Sequence, residues 1–577
     1  MLAYVLSSRR LPAAAALAAG LAVGASASAQ TCIDPAVTPS FEEQRLVNML
    51  PGTTVPAPTL IMEASGFNTF GPEFIEKLCG VPKTPSPKKR WHHDDDDDDD
   101  DDGGSRWKIK PPSSYKQALE LMKKEGHDLW RAAVDRAQGR KVMGTLPASD
   151  DRPLYWARLT MTKALRQWVP AGFSLTPEQR AELHKTLDRH SRGQHDIKFP
   201  SSRKYKRVIV SGFDPFSLGN PGSTSTGVRI GNPSGANALS LDGNRIRLAD
   251  GTWVAVETYI LVVNYTEFNE GMVEDTVGPF YAATARKGRW GHRHHHDDDD
   301  DDDDDGGDGR GQAIDASISV SQGGGFRFNL EQWNGRFHGP SAGNDGGVEC
   351  PGPNSARLPY NPPGCNVYPP ARWLGYEPRL CNEPVKECWM MQRPPQFTSA
   401  TLPIDSMIRA QTGKVGGSFQ RPPGNTHPIP DEVYGVAWGT DYSYFPNCDV
   451  PMTASRNPTP SADVYVYPHP TLDIPPGSQE CARQGAGGDY LSNEVAYRNT
   501  LMRDRFGLSI PAGHIHVPVM TRFGTNPNPG NGEPSNVITD PTFEAYRDTI
   551  VEQTRRLIFV VAQNLDEGVP PVGMPPN

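Results

Sequence analysis

The sequence predicts a three-layer α/β/α sandwich on a twisted, mostly parallel or mixed sheet, preceded by a small helical domain. Two observations support this fold class. From residue 204 onward, short apolar runs rich in β-branched residues alternate with segments of helical spacing, which is typical of α/β folds. Between residues 113 and 200, apolar residues recur at helical spacing alone. A chain of 577 residues is long enough for several domains or for one domain with large insertions.

The first 29 residues have the composition of an export signal. Arg9 and Arg10 supply positive charge, an Ala/Leu-rich run follows, and Ala27-Ser28-Ala29 is a small-residue cleavage site. The apolar run is too short for a stable membrane span, and a membrane anchor is the alternative. We therefore expect a secreted or periplasmic protein, and the arginine pair also permits a twin-arginine export route.

Residues 30–112 are Pro-rich and are predicted to be irregular, with one short helix near residues 72–78 and an acidic run. The chain has eight cysteines, and an even number in an exported protein favours disulfides. Cys32 with Cys79 is the preferred pair because the other six lie together between residues 350 and 481. A metal site is the alternative for the cysteines, although their spacings contain no CxxC.

Residues 113–200 are predicted to form a helical domain of three or four helices. Ser114 and Gln117 have the spacing of a capping box, which marks a helix start. Residues 154–168 continue the helical spacing, and Thr176-Pro177 begins another helix with proline at its first position.

Residues 204–577 are predicted to contain the sheet. Short apolar runs suit strands that are buried on both faces, at 208–211, 258–264, 316–322, 462–467 and 514–520. Helical segments fill the gaps between them, at 232–241, 270–286, 402–411 and 491–505, and an amphipathic helix closes the chain near 543–560.

Three insertions account for the excess length of this domain. They lie near residues 287–312, 339–400 and 413–460. The second and third are rich in Pro, Gly and Cys, and we expect them to be disulfide-bonded caps near the edge of the active site.

Two runs of nine aspartates determine the overall charge. Asp94 to Asp102 and Asp297 to Asp305 contribute −18 to a formal net charge of −10, which leaves the rest of the chain at about +8. The acidity is therefore a property of the two runs, and it indicates no nucleic-acid partner. We expect both runs to be extended and solvated. Loose calcium binding by their carboxylates, with neighbouring histidines adding affinity for transition metals, is the alternative.

Four segments of the larger domain carry residues suited to catalysis. Gly212 begins a Gly-Phe-Asp-Pro-Phe sequence after a strand, and Asn232-Pro-Ser opens a helix. Glu331 follows a glycine-rich turn, Ser492 with the next residue Asn begins another helix, and His516 in a His-Val-Pro sequence lies 24 residues after Ser492. In this order the segments resemble the pyroglutamyl peptidase I family of cysteine peptidases. That resemblance implies an α/β/α fold and removal of an N-terminal pyroglutamate or a related cap.

The resemblance implies three catalytic residues and no cofactor or metal. Ser492 occupies the position of the family's catalytic cysteine, at a helix start whose N–H groups and dipole favour an oxyanion. His516 would be the base and Glu331 the group that holds it, with Asp489 as a weaker alternative. His514 shares the strand face of His516, and it could orient His516, bind a metal with it, or be a core or surface histidine without a role in the site.

Four residues are expected to bind the substrate, a peptide or small amide. Phe213 and Phe216 resemble the aromatic pair that sandwiches the lactam ring of pyroglutamate, and two rings on one loop make a narrow apolar slot that excludes a charged amino terminus. Packing of both rings in the core is the alternative. Tyr490 and Leu491 precede the candidate nucleophile.

Three departures from the family pattern leave the activity open. Serine replaces the catalytic cysteine at 492, Ser217-Leu218 replaces a Gly-Gly pair after the second phenylalanine, and Gln332 replaces the arginine after the glutamate. A serine hydroxyl needs a base far more than a thiol does. The alternatives to a hydrolase are a pseudoenzyme that binds peptide ends and an acidic calcium-binding surface protein.

Overall fold

The computed structural model describes most of the chain between residues 32 and 567. The described residues are 32–82, 107–290, 311–325, 327–339, 341–347, 355–357, 365–367, 394–410, 412, 414–415, 418–419, 435–446, 455–456, 475–477, 480–520, 523 and 535–567. The predicted export signal, both aspartate runs, the predicted strand at 462–467 and much of the two cysteine-rich insertions lie outside them.

The helices and strands alternate as the sequence pattern predicts. The helices are α1 Ala57–Ser65, α2 Phe70–Cys79, α3 Tyr115–Ala137, α4 Arg152–Gln167, α5 Pro177–His190, α6 Pro233–Leu241, α7 Tyr265–Asn269, α8 Met272–Trp290, α9 Ile404–Arg409, α10 Leu491–Arg505 and α11 Pro541–Gln563. The strands are β1 Val81–Pro82, β2 Trp107–Ile109, β3 Tyr205–Phe213, β4 Asn244–Arg247, β5 Trp253–Leu261, β6 Ala316–Gln322, β7 Phe328–Glu331, β8 Trp333–Gly335, β9 Ser355–Arg357, β10 Cys365–Val367, β11 Phe397–Ser399, β12 Lys414–Val415, β13 Ser418–Phe419, β14 Val436–Gly439, β15 Ser443–Phe445, β16 Ser455–Arg456, β17 Cys481–Gln484 and β18 Ala512–Val517. Short 3₁₀ helices span Glu43–Val47, Thr226–Arg229 and Leu565–Glu567.

The Pro-rich N-terminal segment is more regular than predicted. It holds the 3₁₀ helix Glu43–Val47 and two α-helices, α1 and α2, where the sequence pattern predicted one short helix. Pro58 lies within the first turn of α1, where a missing N–H costs nothing because that group has no partner inside the helix. The predicted disulfide between Cys32 and Cys79 is present, with 5.6 Å between the Cα atoms, and it joins the start of this segment to the end of α2.

Helices α3, α4 and α5, here called the helical region, pack around one apolar core. Thr176 and Gln179 form the capping box of α5. Ser114 caps α3 by accepting a hydrogen bond from the Gln117 N–H, while the Gln117 side chain accepts from Ser113 instead of Ser114. The core of this region also contains Leu239 of α6 and Ile260 of β5. The helical region therefore packs directly against the α/β region.

A seven-stranded mixed sheet forms the middle layer of the α/β region, in the order β14-β7-β18-β6-β3-β5-β4. Strands β5, β3, β6 and β18 run parallel, β14 is parallel to β7, and β7 and β4 are antiparallel to their neighbours β18 and β5. The predicted bounds of β6 and α10 agree with the structure, whereas the run predicted at 258–264 belongs to a strand that begins earlier, at Trp253, and ends at Leu261.

Helices cover both faces of this sheet. Val208 and Val210 of β3 pack in one core with Ile550 and Leu557 of α11. Ile209, which lies between the two valines, packs instead with residues of α8 and α10 such as Val277 and Val495. Alternate side chains of one strand therefore enter two different cores, as expected of a sheet buried on both faces. The α/β/α prediction is confirmed. Among the described residues, no helix is long and apolar enough to cross a membrane.

Candidate active site

A small, open pocket lies where the order of the parallel strands reverses. The chain proceeds from β3 to β5 on one side and then returns to β6 on the other side of β3. In open α/β sheets, such a switch point leaves a crevice at the carboxyl ends of the strands, where ligands bind. Phe213 at the end of β3 and Ser321 and Gln322 at the end of β6 line this pocket.

The pocket has an apolar wall and a neutral polar wall. The apolar wall is formed by Phe213, Phe216, Val263 and Leu491, with the ring of Tyr490 beside them. The polar wall is formed by Asn232, Ser321, Gln322 and Ser492. None of these nine lining residues is an acid, a base or a histidine, so the pocket favours an uncharged ligand group because burial of a charge would not be compensated.

The four residues predicted to bind substrate all line this pocket. Phe213 is nevertheless also a core residue: it is 3 % exposed and stacks on Phe268 with 6.2 Å between ring centroids. Phe216 is half-buried. Leu491 is buried, while Tyr490 donates a hydrogen bond from its hydroxyl to the Ala342 carbonyl over 2.9 Å. The sequence allows the two phenylalanine rings either to line a pocket or to pack in the core. In the structure the Phe213 ring does both.

Glu331 and His516 form a buried pair on adjacent antiparallel strands. Nδ1 of His516 contacts Oε1 of Glu331, whose side chain is fully buried, while that of His516 is 9 % exposed. An ionised carboxylate at this position favours the His516 tautomer that carries its proton on Nδ1 and leaves Nε2 as the basic nitrogen. In the antiparallel register of β7 with β18, Glu331 lies directly opposite His514, so His516 is its diagonal neighbour on the same face of the sheet.

Gly487 lies between this pair and Ser492. The Ser492 hydroxyl donates a hydrogen bond to the Gly487 carbonyl over 3.3 Å. A Cβ atom at position 487 would lie 2.5 Å from Oε2 of Glu331, so only glycine allows the turn before α10 to approach the buried carboxylate so closely. Gly487 thus contacts both Ser492 and Glu331, while His516 contacts Glu331 alone of these residues.

The first turn of α10 faces the pocket. Tyr490 is the N-cap residue and makes no side-chain capping hydrogen bond, so its side chain does not occupy the free N–H groups of the first turn. Leu491 and Ser492 in that turn both line the pocket. The arrangement can stabilise negative charge on a ligand oxygen, since the N-terminal end of a helix carries partial positive charge.

His514, a further candidate, is bonded on both ring nitrogens. Ser319 donates its hydroxyl proton to the Gly513 carbonyl over 3.2 Å, so it accepts from Nδ1 of His514 at 2.7 Å. Nε2 of His514 therefore accepts from Ser321 at 2.8 Å. Burial, assisted by neighbouring His516, lowers the pKa of His514 well below its usual value. His514 is therefore a neutral core residue whose bonds fix the strand face behind His516.

Glu331, His514 and His516 are also close enough to be considered as metal ligands. One ligand atom of each lies within 4.8 Å of the others. This donor set fits a metal poorly, because serines occupy both nitrogens of His514 and Nδ1 of His516 is in direct contact with the carboxylate. A metal would have to displace those contacts, and we derive no chemistry through it.

The two other departures from the family pattern have local structural explanations. Ser217 has φ = 61°, the left-handed conformation that glycine adopts most easily, so the loop keeps a glycine-like backbone without the glycine. Gln332 is buried, accepts a hydrogen bond from Trp438 over 3.2 Å and lies outside the pocket lining. The missing arginine therefore leaves no unpaired group in the pocket.

Sequence reasoning missed several lining residues, namely Val263, Asn232, Ser321 and Gln322. The sequence indicates only that Asn232 opens a helix and that Ser321 and Gln322 belong to a strand. The strand-end rule for α/β sheets would have pointed to Ser321 and Gln322. Asn232 carried no such signal, because its position depends on how α6 docks against the loop after β3.

Comparison with protein families places most of this chain in one family. Residues 207–288 and 308–521 match the model described as PA0049, C-terminal domain, and residues 106–188 match that of the PA0049 N-terminal domain. An uncharacterized protein of Pseudomonas aeruginosa, PA0049, is 42 % identical over 562 residues, which cover 92 % of this chain and 90 % of that protein.

Among solved structures, the chain is similar to pyrrolidone carboxyl peptidases of Pyrococcus furiosus. Several engineered variants align with 15 % identity, over 62 % of this chain and 99 % of theirs, at a TM-score of 0.29. The structures of that enzyme and its cysteine-free mutant align with 16 % identity over the same shares and at the same score. A TM-score this low carries no argument about function.

Proposed function

We propose that this chain, which belongs to the PA0049 family, is a hydrolase of the pyroglutamyl peptidase type that removes an N-terminal pyroglutamate or a related cap from peptides with Ser492 as nucleophile. The observation that carries the proposal is the uncharged, aromatic-sided pocket at the strand switch point, with Ser492 in its wall. The ordered motifs around Phe213, Glu331, Ser492 and His516 give independent support from the sequence.

The side chains that line the pocket suit a lactam ring in their chemistry. Phe213 and Phe216 offer flat apolar surfaces, while the amide and hydroxyl groups of the polar wall can bond the ring carbonyl and N–H. A free amino terminus would bring a positive charge into a pocket whose lining has no carboxylate. The expected discrimination is therefore between a capped and an uncapped peptide end.

In the proposed reaction, His516 removes the proton from the Ser492 hydroxyl as its oxygen attacks the pyroglutamyl carbonyl. Glu331 holds the Nδ1 proton and stabilises the imidazolium that forms. The N–H groups of the first turn of α10 stabilise the oxyanion. His516 then returns the proton to the leaving amine, an acyl ester remains on Ser492, and water attacks that ester with His516 again as the base.

The hydrogen bond made by the Ser492 hydroxyl favours a second candidate function, that of a pseudoenzyme that binds a peptide end. In this structure the Ser492 hydroxyl donates to the Gly487 carbonyl. If substrate does not redirect that bond, the pocket binds without cleaving. We further propose that the protein works outside the cytoplasm, which the Cys32–Cys79 disulfide supports because such bonds persist in oxidising compartments.

The test is cleavage of a pyroglutamyl chromogenic amide by purified protein lacking residues 1–29. We expect activity in the parent, a loss of about 10³-fold or more in Ser492→Ala, and retained or increased activity in Ser492→Cys, because a thiolate is the better nucleophile near neutral pH. Prolyl amide is the matched control substrate: it keeps the five-membered ring but carries a charged amine, and it should be a poor substrate.

Ser321→Ala separates two candidate serines. Ser321 also lines the pocket and is bonded to a histidine, His514. If Ser321 were the nucleophile, Ser321→Ala would abolish cleavage and Ser492→Ala would not. An inactive parent that binds a pyroglutamyl peptide, with activity appearing in Ser492→Cys, would identify the pseudoenzyme. An inactive parent that binds no such peptide would refute the pocket assignment.

A further inference from the structure

We infer that the helical region positions the substrate pocket without lining it: Arg158, Arg192 and Asp151 are positioning residues that hold the aromatic loop after β3 and Asn232 in place. This inference rests on the proposed function, because it gives that pocket its specificity. It assigns a role to a region that carries no candidate catalytic residue of its own.

The loop is held at Asp214, between the two phenylalanines of the pocket. Nη1 of Arg158, in α4, donates to both carboxylate oxygens of Asp214 at 3.0 Å each. Nη1 of Arg192, just after α5, contacts Oδ2 of the same residue. All three side chains are at most 3 % exposed. One buried carboxylate of the loop is thus bound by two arginines of the helical region.

Both arginines are themselves fixed by the helical region. Arg158 donates from Nε to the Ser191 hydroxyl over 3.0 Å, and Arg192 donates from Nε to Asp188 over 2.8 Å. Burial disfavours the ionised form of Asp188, but Arg192 outweighs that effect and keeps the pKa of Asp188 below its usual value. Two cations therefore face two carboxylates in this cluster. Since charge-assisted bonds are short and directional, the loop position is tied to the ends of α4 and α5.

A second chain of hydrogen bonds reaches the polar wall. Asp151, which precedes α4, accepts from the backbone N–H of Asn232 over 2.8 Å. The Asn232 side chain donates to the Asp214 carbonyl over 2.9 Å and accepts from the Ser234 hydroxyl over 2.8 Å. Ser234 in turn accepts from the backbone N–H of Phe213 over 3.1 Å. Asn232 and Phe213 both line the pocket, so the helical region fixes one residue of each wall.

Asp214→Asn tests the inference, with Asp275→Asn as its matched control. Asp275 lies in α8 and pairs with Arg189 of α5 over 3.0 Å, so the control also weakens an ion pair between the helical and α/β regions, and Asp275 is not among the residues that line the pocket. We expect Asp214→Asn to raise KM for the pyroglutamyl amide at least tenfold with kcat within about threefold, and Asp275→Asn to leave both within about twofold. A merely structural role would lower the active fraction, and hence kcat, without raising KM.

Hydrogen exchange of the amides in residues 213–218 gives a readout that needs no activity. We expect at least tenfold faster exchange in this segment for Asp214→Asn than for Asp275→Asn, with the core of the sheet unchanged in both. If the parent cleaves no pyroglutamyl amide, the proposed function fails while exchange still decides the inference. Equal KM values and equal loop exchange in the two variants would overturn it.

Discussion

Replacement of Glu331 by glutamine should abolish most of the proposed activity without unfolding the protein. The Glu331→Gln side chain would have nearly the same shape, but the substitution would remove the charge that faces Nδ1 of His516. The new amide could also present an N–H to that nitrogen, which would favour the other tautomer and leave Nε2 protonated. Ser492 would then lose its base.

The size of the effect follows from the burial of the pair. The Glu331 side chain is fully buried, and among the described residues neither of its carboxylate oxygens has a hydrogen-bond partner, so its contact with Nδ1 of His516 is an ion-pair contact. Taking a separation of about 3 Å and an effective dielectric constant of ~20, an imidazolium and a carboxylate attract by roughly 5 kcal/mol. Since about 1.4 kcal/mol is a factor of ten in rate, we expect kcat to fall by about 10⁴-fold, with KM changed little.

Glu257→Gln is the matched control for this experiment. Glu257 is also a buried strand carboxylate, but it lies on β5 and pairs with Arg245. Burial, together with nearby Asp242, raises its pKa to about 8, so at pH 7 the parent side chain is mostly protonated and resembles glutamine. In steady-state kinetics on a pyroglutamyl amide, Glu257→Gln should therefore have the kcat and KM of the parent. A Glu331→Gln variant within tenfold of the parent kcat would refute the reasoning about His516.

Three further predictions concern stability, pH and metals. Ser217→Gly should stabilise the protein by ~0.5 kcal/mol in urea unfolding, because relief of the left-handed φ exceeds the extra unfolded-state entropy of glycine; Ser201→Gly, at an exposed position with ordinary φ, should not stabilise. Burial raises the pKa of Glu42 to about 7, against the opposing hydrogen bond from Tyr155. The parent therefore loses stability as pH rises from about 4.5 through 7, and Glu42→Gln should be more stable than the parent by on the order of 1–2 kcal/mol at pH 8 and equal to it near pH 4.5. Dialysis against EDTA should leave cleavage activity intact, because the nitrogens of His514 are bonded to serines; a loss restored by Zn²⁺ would instead make Glu331, His514 and His516 metal ligands.

The sequence predicts the limits of an element correctly where its pattern of apolar residues begins and ends with the element itself. Both the run at 316–322 and the helix at 491–505 have continuous patterns bounded by turn residues, and both elements have those limits in the structure. For the strand at Trp253–Leu261, the sequence predicts the range 258–264, which lies too far toward the C-terminus. Val262 and Val263 continue the apolar run after the strand has ended. Val263 is apolar since it lines the pocket, a reason that strand periodicity cannot supply.

Long-range pairing explains most of what was missed. Strands β7 and β14 have only four residues each, and their pairing joins segments more than 100 residues apart. The contact of Arg158 with Asp214 likewise spans 56 residues and two regions of the chain. Charged residues in an amphipathic helix are normally solvent-exposed, so nothing in the pattern of α4 indicated that this arginine is buried.

Serine at position 492, where the pyroglutamyl peptidase I family has cysteine, requires a stronger base than a cysteine would. The surroundings of Glu331 in the structure would strengthen His516 as that base. A thiol is already partly ionised near neutral pH, whereas in the proposed reaction the Ser492 hydroxyl would have to lose its proton to His516 during the attack. His516 accepts that proton more readily when the group that faces its Nδ1 carries an unscreened negative charge. Glu331 is fully buried, and Gly487 allows the turn before α10 to close over its carboxylate. A carboxylate shielded in this way is screened less by water than an exposed one, so in the proposed reaction it would stabilise more strongly the imidazolium formed as Ser492 attacks.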